Sequence, residues 1–428
     1  MLVIKNVRIA NGDPNPADPR PVDILVREGR IETVGENLVP PAGAEVWQFE
    51  NAWASPGWLD VGAEICDPGH EHREDFESAT RAAAAGGFTA VACLPNTRPA
   101  LHSKSEILYV QNKTAGGAVN FHPIGAISQD CAGKDLAELF DMHTAGAVAF
   151  SDGTRPVQDA GLLLRAMQYA QAFGGLVLNQ PYHKTIAAGG QMHEGIVSTQ
   201  LGMKGIPALA EELMVQRDLS LLEYAGGRLH LHNISTAKSV ALVRAAKQAG
   251  LPVTASVAVA NLCFTDEKLA DFESNWKLLP PLRAETDRQA LLDGLADGTL
   301  DFICSNHAPQ DTEAKNLEFP YAEFGMIGLE TAFALSQTFV GKKLTINELV
   351  AKWAVRPRQI LGLPVPLIAP GSRAELTIFD PDVEWTFSEK DIRSKSANTP
   401  LVGSSLRGRA LGIVNGARNL LVEELNRS

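Results

Sequence analysis

The chain changes character within the stretch Ser55-Pro56-Gly57-Trp58-Leu59-Asp60-Val61-Gly62-Ala63-Glu64-Ile65-Cys66-Asp67-Pro68-Gly69. Before it, short alternating segments are separated by Gly, Pro and Asp, a pattern typical of hairpins in a small antiparallel sheet. After it, short apolar runs alternate with amphipathic stretches of helical period. The stretch therefore marks the entry from a small β domain into a larger α/β domain.

Six apolar runs after this stretch have the length and composition of buried parallel strands. Helices cover both faces of such strands, so the runs are apolar throughout. They lie at residues 89–94, 147–150, 175–178, 228–232, 252–257 and 300–304. Helical patterns lie between them at residues 77–85, 160–173, 207–224 and 236–249. Roughly eight strand and helix units over about 300 residues predict an α/β fold of the (β/α)8 TIM-like barrel type.

The composition excludes several classes of partner and location. The 428 residues are 45% hydrophobic and carry a formal net charge of −12. Lys and Arg form no cluster beyond that of a solvated helix face, so neither nucleic acid nor an anionic membrane is expected as a partner. No apolar run reaches the roughly 18 residues of a membrane span. The five cysteines are widely spaced and predict no disulfide framework, so we expect a cytoplasmic protein.

Residues 55–69 resemble the opening of the barrel in dihydroorotases of the amidohydrolase superfamily. In that family the pattern is Pro-Gly-x-Ile-Asp-x-His-x-His-x-Arg-x-Pro-Gly, with both histidines on zinc and the arginine on the substrate carboxylate. The corresponding residues here are Gly62, Glu64 and Cys66. Alternate residues on a strand share a face, which lets two histidines chelate one ion. Glycine has no donor and a single glutamate is a weak anchor for zinc, so the first ligand pair is lost.

Three further positions correspond to metal ligands of the family. Asp152 keeps a carboxylate, although one residue of the family's Phe-Ser-Asp-Asp-Gly loop is missing. Asn179 stands where a His-x-Glu segment is expected, and Asn233 replaces the second histidine of His-x-x-His-x-Ser-Thr. Asparagine preserves size and polarity but is a poor ligand for zinc. No lysine lies between residues 134 and 184 to bridge two metals after carbamylation, so no metal cofactor is expected.

The catalytic aspartate of the family lies in Thr-Asp-His-Ala-Pro-His, and Asn306 occupies its position here. An asparagine cannot accept a proton at neutral pH, so the resemblance leaves no catalytic residue intact. Two substrate-binding residues of the family survive as Asn96 and His307. The competing interpretations are a hydrogen bond within the local turn for Asn96 and structural packing for His307.

A relocated metal site is the remaining way to bind zinc. His70 and His72 have chelating spacing, as do His230 and His232. The first pair lies in a loop that is variable in the family. The second pair is out of phase with Asn233, so it should face the helices if Asn233 faces the barrel interior. Surface histidines or hydrogen-bonded core histidines are the favoured interpretation of both pairs.

The resemblance spans nearly the whole chain. Segments at residues 194–198, 205–211, 324–331 and 394–400 also look like dihydroorotase segments in their usual order. Sheet-like alternation returns from about Ile368, and the resemblance implies that both chain ends pair into one small β-sandwich domain. The predicted domains are residues 1–55 with 366–428 for the β domain and residues 56–365 for the barrel.

Three functions remain open. The leading hypothesis is a non-catalytic dihydroorotase-like protein of pyrimidine biosynthesis, because pseudo-dihydroorotases assemble with aspartate carbamoyltransferase and a barrel keeps its outer surface when its site is lost. A homo-oligomer or hetero-oligomer is then expected. The second is an active zinc-dependent dihydroorotase, or another cyclic amide hydrolase, that converts L-dihydroorotate and water to N-carbamoyl-L-aspartate in a remodelled site. The third is a sensor that binds these compounds without turnover through Asn96 and His307.

Overall fold

The computed structural model describes residues 1–13 and 20–426 of the chain. Its strands are β1 (Leu2–Ile9), β2 (Val22–Arg27), β3 (Arg30–Gly35), β4 (Glu45–Gln48), β5 (Trp53–Pro56), β6 (Trp58–Ala63), β7 (Phe88–Cys93), β8 (Asn120–Pro123), β9 (Leu176–Asn179), β10 (Met192–His193), β11 (Gly205–Ile206), β12 (Arg228–Leu231), β13 (Val253–Ala258), β14 (Phe302–Cys304), β15 (Glu375–Thr386), β16 (Ser405–Asn415) and β17 (Arg418–Leu421). Its α-helices are α1 (Phe76–Ala85), α2 (Lys104–Thr114), α3 (Leu139–Thr144), α4 (Ala160–Gln171), α5 (Ile196–Gln200), α6 (Leu209–Ala225), α7 (Ala237–Gln248), α8 (Val259–Cys263), α9 (Glu285–Ala296), α10 (Thr312–Lys315), α11 (Ala332–Leu335), α12 (Ile346–Val350) and α13 (Arg356–Leu361). The predicted α/β fold with a separate sheet is confirmed.

Parallel strands follow one another around a ring. β6, β7 and β8 pair in that order, and so do β9, β12, β13 and β14. Phe150 joins the two groups because it bridges Gly125 on one side and Val177 on the other. The Glu64 N–H donates to the His307 carbonyl at 2.9 Å and links the last strand back to the first. We call this ring the barrel.

The barrel strands are apolar on both faces because they bury both faces. Alternate residues point to opposite sides of a strand. Those that meet inside the ring are Leu59, Val61, Ala90, Ala92, Leu176, Leu178, Phe302 and Cys304. Their neighbours in sequence, such as Trp58 and Val91, belong to a larger cluster that includes the helices. The inner and outer cores together hold the strand ends in fixed positions.

One predicted strand is reduced to a bridge. Residues 147–150 form no strand, and Phe150 alone makes the two bridges. The other five apolar runs are strands, and the four predicted helices are present, with ends that agree within about two residues. The apolar runs and the helical periodicity therefore predicted these strands and helices correctly, with this one exception.

The second sheet combines strands from both ends of the chain. Its order is β17-β16-β15-β5-β1-β2-β3, with β4 paired to β1. The predicted antiparallel hairpins are confirmed for β1, β2 and β3, whereas β1 also runs parallel to β4 and to β5. Its first residues pair with β2, whereas Arg8 and Ile9 pair with β5, so this strand passes from one group of strands to the other. The domain boundaries themselves stay a prediction.

The cysteines and the helices add two observations. All five cysteines are buried and free. Burial raises the pKa of the Cys93 thiol to about 12, so this thiol is protonated at neutral pH. Among the described residues, no helix combines the length and the apolar character that a membrane crossing requires.

Trp58 joins the barrel to the second sheet and provides a test of this packing. Its fully buried ring lies 4.5 Å from Phe333 and 5.3 Å from Phe379, measured between ring centroids. We expect Trp58→Ala to lower the free energy of unfolding by about 3–5 kcal/mol, because it leaves a cavity. Urea denaturation measures the loss. Val39→Ala is the control, since Val39 is 87% exposed. A loss for Trp58→Ala no larger than that of the control would contradict the packing.

Candidate functional site

The carboxyl ends of the barrel strands surround a cavity of about 310 Å³, the barrel-mouth cavity. Its lining residues are Gly62, Glu64, Arg73, Leu94, Thr154, Arg155, Gln180, His232, Leu279, Asn306, His307, Ala308, Gln310, Glu323, Phe324 and Gly325. Four of the predicted site positions, Gly62, Glu64, Asn306 and His307, therefore share one cavity. Asn96, Asp152, Asn179 and Asn233 are outside this lining.

Gly62 faces the imidazole of His232. A Cβ at this position would lie far inside contact distance of His232 Nε2. The φ angle of Gly62 is +89°, which side chains other than glycine rarely adopt. The space in which the family carries its first ligand is therefore filled by His232, which directly follows β12, and a histidine at position 62 would not fit.

His232 is neutral and enclosed. Its Nδ1 lies 3.0 Å from Ser256 Oγ, and its Nε2 is buried without a hydrogen-bond partner among the described residues. Burial lowers the pKa of His232 to about 3. An uncharged imidazole with one unused nitrogen therefore points into the space beside Gly62.

The prediction that His230 and His232 face the helices is wrong. His230 stacks on Phe302 inside the barrel with ring centroids 4.8 Å apart, and His232 Nδ1 lies 3.9 Å from Cys304 Sγ. The error came from extending strand alternation to Asn233. β12 ends at Leu231, and Asn233 has a φ of +53°, so the backbone turns and the alternation stops there.

Glu64 forms an ion pair with Arg73. Its Oε2 lies 3.1 Å from Nη2 of Arg73, and the Arg73 Nε donates to the Pro309 carbonyl at 2.8 Å. Both charged side chains are largely buried. Glu64 therefore fastens the loop before α1 to the loop after β14, and its charge is already balanced.

The asparagines at ligand and base positions bond to protein groups. Asn179 Nδ2 donates to Asp218 Oδ2 at 2.6 Å. Asn233 Nδ2 donates to Asn306 Oδ1 at 3.0 Å, and Asn306 Nδ2 donates to the Leu279 carbonyl at 3.3 Å. The position of the family's base is thus one half of an amide–amide pair, which neither binds a cation strongly nor accepts a proton.

Asp152 and Asn96 hold the loop after Phe150. Asp152 accepts from the Ser128 N–H at 2.9 Å and from Ser128 Oγ at 2.5 Å, and burial raises the pKa of its carboxyl despite these bonds. Asn96 Nδ2 donates to the Asp152 carbonyl at 2.9 Å, and its Oδ1 accepts from the Thr154 N–H at 2.9 Å. Asn96 therefore has a structural role, but its side chain bonds to the loop after Phe150 and not within its own turn, as the local-turn interpretation expected.

His307 and Glu74 form a buried polar pair. The His307 Nε2 lies 3.4 Å from Glu74 Oε2, and both side chains are fully buried. Burial alone would lower the pKa of His307, but contact with Glu74 outweighs burial and raises it. The His307 Nδ1 accepts from the Gly328 N–H at 3.2 Å. Nδ1 therefore carries no proton in this geometry, and Nε2 faces Glu74, a neighbour that the sequence pattern did not indicate.

His70 and His72 belong to no group of three or more potential metal ligands among the described residues. Their ring centroids are 6.1 Å apart and nearly perpendicular. His72 is exposed, and its Nε2 lies 3.3 Å from Asp311 Oδ2. In the part of the chain that the structure describes, no three or more His, Cys, Asp or Glu side chains are arranged to hold a metal ion. With Gly62 blocked and Glu64 paired, the residues present do not fit the family's zinc.

Two further cavity residues were missed from the sequence. Gln180 directly follows β9, and Arg155 lies in the loop after Phe150. Positions just beyond a barrel strand are where such folds place their chemistry, and this rule could have identified Gln180. Arg155 carries no comparable signal, because a loop arginine is usually a solvated side chain.

The contact between Gly62 and His232 can be tested by a double-mutant cycle. We expect Gly62→Ala to lower the free energy of unfolding by about 2 kcal/mol or more, through the positive φ and through contact with the ring. In a His232→Ala background only the strain at φ remains, so the cost should be smaller. Urea denaturation of the four proteins gives the coupling energy. Equal costs in both backgrounds would show that the ring does not fill this space.

Acid should destabilise the fold in part through His232. Its folded pKa is about 3, against 6.5 for an unperturbed histidine. The unfolded chain therefore binds more protons between these values, and the stability contributed by the neutral ring is lost as pH falls through that window. His232→Gln should reduce the proton uptake on unfolding near pH 5 by about one proton. The slope of the unfolding free energy against pH measures it, and an unchanged slope would contradict a neutral buried ring.

Comparisons of the sequence with known proteins identify similar proteins over nearly the whole chain. A sequence model of the family described as "Dihydro-orotase-like" matches residues 54–239. A dihydroorotase from Pelotomaculum thermopropionicum is 43% identical over 407 residues, which cover 95% of each chain. A dihydroorotase from Geotalea daltonii is 42% identical over 411 residues, covering 96% of each chain.

Solved structures match the fold over almost the full length. An L-hydantoinase (dihydropyrimidinase) from Arthrobacter aurescens superimposes with a TM-score of 0.85 at 24% identity, covering 98% of this chain and 96% of its own. A D-hydantoinase from Thermus sp. gives a TM-score of 0.82 at 21% identity, covering 98% and 95%. At these identities the likeness concerns the fold alone. The extent and identity of the sequence matches place this chain in the dihydroorotase family.

Proposed function

We propose that this chain is a non-catalytic member of the dihydroorotase family and acts as a structural partner of aspartate carbamoyltransferase in the cytoplasm. The observation that carries the proposal is the contact of His232 with Gly62. It fills the space in which a first metal ligand would stand, so the loss cannot be repaired by a small shift of side chains.

The position of the catalytic base supports the same proposal. The side-chain oxygen of Asn306 accepts from Asn233, and its side-chain nitrogen donates to the Leu279 carbonyl, so both ends of the amide are hydrogen-bonded within the protein. A water molecule near this amide meets no group there that takes up its proton at neutral pH. Of the nearby carboxylates, Glu64 and Asp152 already have protein partners, and Glu323 acts on the ammonium groups of Lys277 and Lys315.

The fold supports a role for the outer surface. The barrel and the second sheet are fully formed around two large apolar cores. A rigid surface of this kind can serve assembly after the chemistry of the site has been lost. Free, buried cysteines suit a reducing compartment such as the cytoplasm.

An alternative is an active zinc-dependent dihydroorotase, or another cyclic amide hydrolase, with a remodelled site. The names of the relatives favour it, since proteins 42–43% identical over nearly the whole chain are called dihydroorotase. Under this alternative the metal would need ligands other than Gly62 and Glu64. His70, His72 and Asp152 are the residues whose substitution would then abolish turnover.

An activity assay separates the two possibilities. We expect the purified chain, supplied with zinc, to show no cyclisation of N-carbamoyl-L-aspartate and no hydrolysis of L-dihydroorotate above background. Asn306→Asp should leave this result unchanged, because a base alone does not supply the missing ligands. The rates are followed by the absorbance of the cyclic product. A rate that a chelator removes would overturn the non-catalytic proposal.

Assembly is tested with aspartate carbamoyltransferase from the same source. We expect the two proteins to co-elute in size-exclusion chromatography as one larger species, and the complex to unfold at a higher temperature than either protein alone. A folded barrel protein of unrelated sequence serves as the control. Separate elution at every concentration, with unchanged unfolding temperatures, would contradict the partnership even if the chain proves inactive.

A further inference from the structure

One wall of the barrel-mouth cavity is a short segment at residues 319–325, which we call the strap. The last three residues of the strap line the barrel-mouth cavity. Asn316 and Leu317, a short way before it in the chain, line a second cavity of about 540 Å³. Because the strap forms part of the wall, any movement of the strap changes the width of the barrel mouth.

Two lysines outside the strap hold it through its backbone carbonyls. The ammonium groups of Lys277 and Lys315 each donate two hydrogen bonds to the strap. The accepting carbonyls are those of Phe319 and Pro320 for Lys277, at 2.9 and 3.1 Å, and those of Glu323 and Gly325 for Lys315, at 2.8 and 3.1 Å. One lysine therefore holds the start of the strap and the other holds its end.

Both ammonium groups are enclosed without a carboxylate in contact. Lys277 is 2% exposed and Lys315 is 5% exposed. Among the residues that the structure describes, neither lysine forms a salt bridge. Lys277 Nζ faces the rings of Phe319 and Phe324 instead, at 5.4 and 4.9 Å from their centroids. Carbonyls and aromatic rings offset only part of the cost of burying a cation, so the closed strap encloses two positive charges at a net desolvation cost.

The titration of the two lysines reflects this cost. Burial has the largest effect and lowers the pKa of Lys277 and of Lys315 to about 8, against 10.5 for an unperturbed lysine. The charge of Lys277 also lowers the pKa of Lys315, whereas Glu273 raises the pKa of Lys315 and Glu323 raises the pKa of both lysines. Both glutamates are exposed, so water screens their charge. The closed strap therefore disfavours the protonated form of both lysines relative to water.

We propose that the strap is a pH-dependent closure of the barrel mouth, which opens more readily at neutral pH because opening hydrates the two buried ammonium groups, and less readily in alkaline solution, where they lose their charge. A neutral amine still donates two hydrogen bonds, so each lysine keeps both of its carbonyl contacts. In the open strap the lysines have the pKa of a solvated amine. Between about pH 8 and pH 10.5 the open strap therefore binds more protons than the closed one, and rising pH favours closure. This movement is independent of the structural role proposed above.

Hydrogen–deuterium exchange of the full-length chain tests the closure at two backbone amides. The Glu323 N–H donates to the Ala314 carbonyl at 3.0 Å, and the Gly325 N–H donates to the Lys277 carbonyl at 2.9 Å, so both amides exchange when the strap opens. After correction for the intrinsic exchange rate, we expect their protection to rise about 100-fold from about pH 7 to about pH 9, with roughly tenfold from each lysine. Protection that is unchanged or lower at the higher pH would overturn the proposal.

Variants assign the effect to the two lysines. Lys277→Met and Lys315→Met each remove one ammonium group, so each should reduce the rise from about 100-fold to about tenfold. Lys134→Met is the matched control, because Lys134 is an exposed lysine outside the linings of both cavities, and it should keep the full rise.

A second control separates the strap from the barrel. The Ala126 N–H donates to the Leu101 carbonyl at 2.8 Å and should show no such rise in protection. A full rise in both lysine variants, or an equal rise at Ala126, would overturn the assignment to the strap. The measurement on the unmodified chain remains decisive even where a variant fails to fold.

Discussion

The closure between β14 and β6 is the constraint on which the rest of the structure depends. Asp60 is fully buried and accepts from the Ser305 N–H at 2.7 Å and from Ser305 Oγ at 2.5 Å. Burial raises the pKa of Asp60 to about 6, so the hydrogen bonds from Ser305 offset only part of the cost of enclosing its charge. Beside this junction the Glu64 N–H donates to the His307 carbonyl at 2.9 Å, and both residues line the barrel-mouth cavity.

Much of the fold could be predicted because a strand that is buried on both faces is a continuous apolar run in the sequence. An apolar run such as Phe88–Cys93 needs no knowledge of its neighbours to be identified. The pairing of β1 could not be predicted in this way, because it depends on the positions of Trp53 and Glu45 in the folded chain and not on the composition of β1. The missing strand at Phe150 has the same cause. Its two bridges come from Gly125 and Val177, which lie on other segments of the chain.

The function of a site position could be predicted where it depends on the functional group of one residue. It could not be predicted where it depends on the direction in which a side chain points. Glycine, asparagine and glutamate at ligand positions can be judged from their functional groups alone. The inward orientation of His232 depends on one backbone angle, at Asn233, and its contact with Gly62 joins residues far apart in sequence. Glu74, Arg155 and Gln180 were missed for a related reason. Their place at the site follows from the fold and not from a motif.

The substitutions at the strand ends form a physically coherent set. A cluster of histidines and carboxylates is stable in a buried site when a cation balances its charge and occupies its lone pairs. Without that cation, each buried charge carries a desolvation cost that an amide does not. Asn233 and Asn306 bond to each other, and Asn179 bonds to Asp218, whose charge is balanced by Arg217. The strand ends are thus held together by neutral hydrogen bonds and paired charges. Two buried atoms at these strand ends, the Nε2 of His232 and the Oδ1 of Asn233, have no hydrogen-bond partner among the described residues, so the replacement of charged groups by neutral ones did not satisfy every polar atom there.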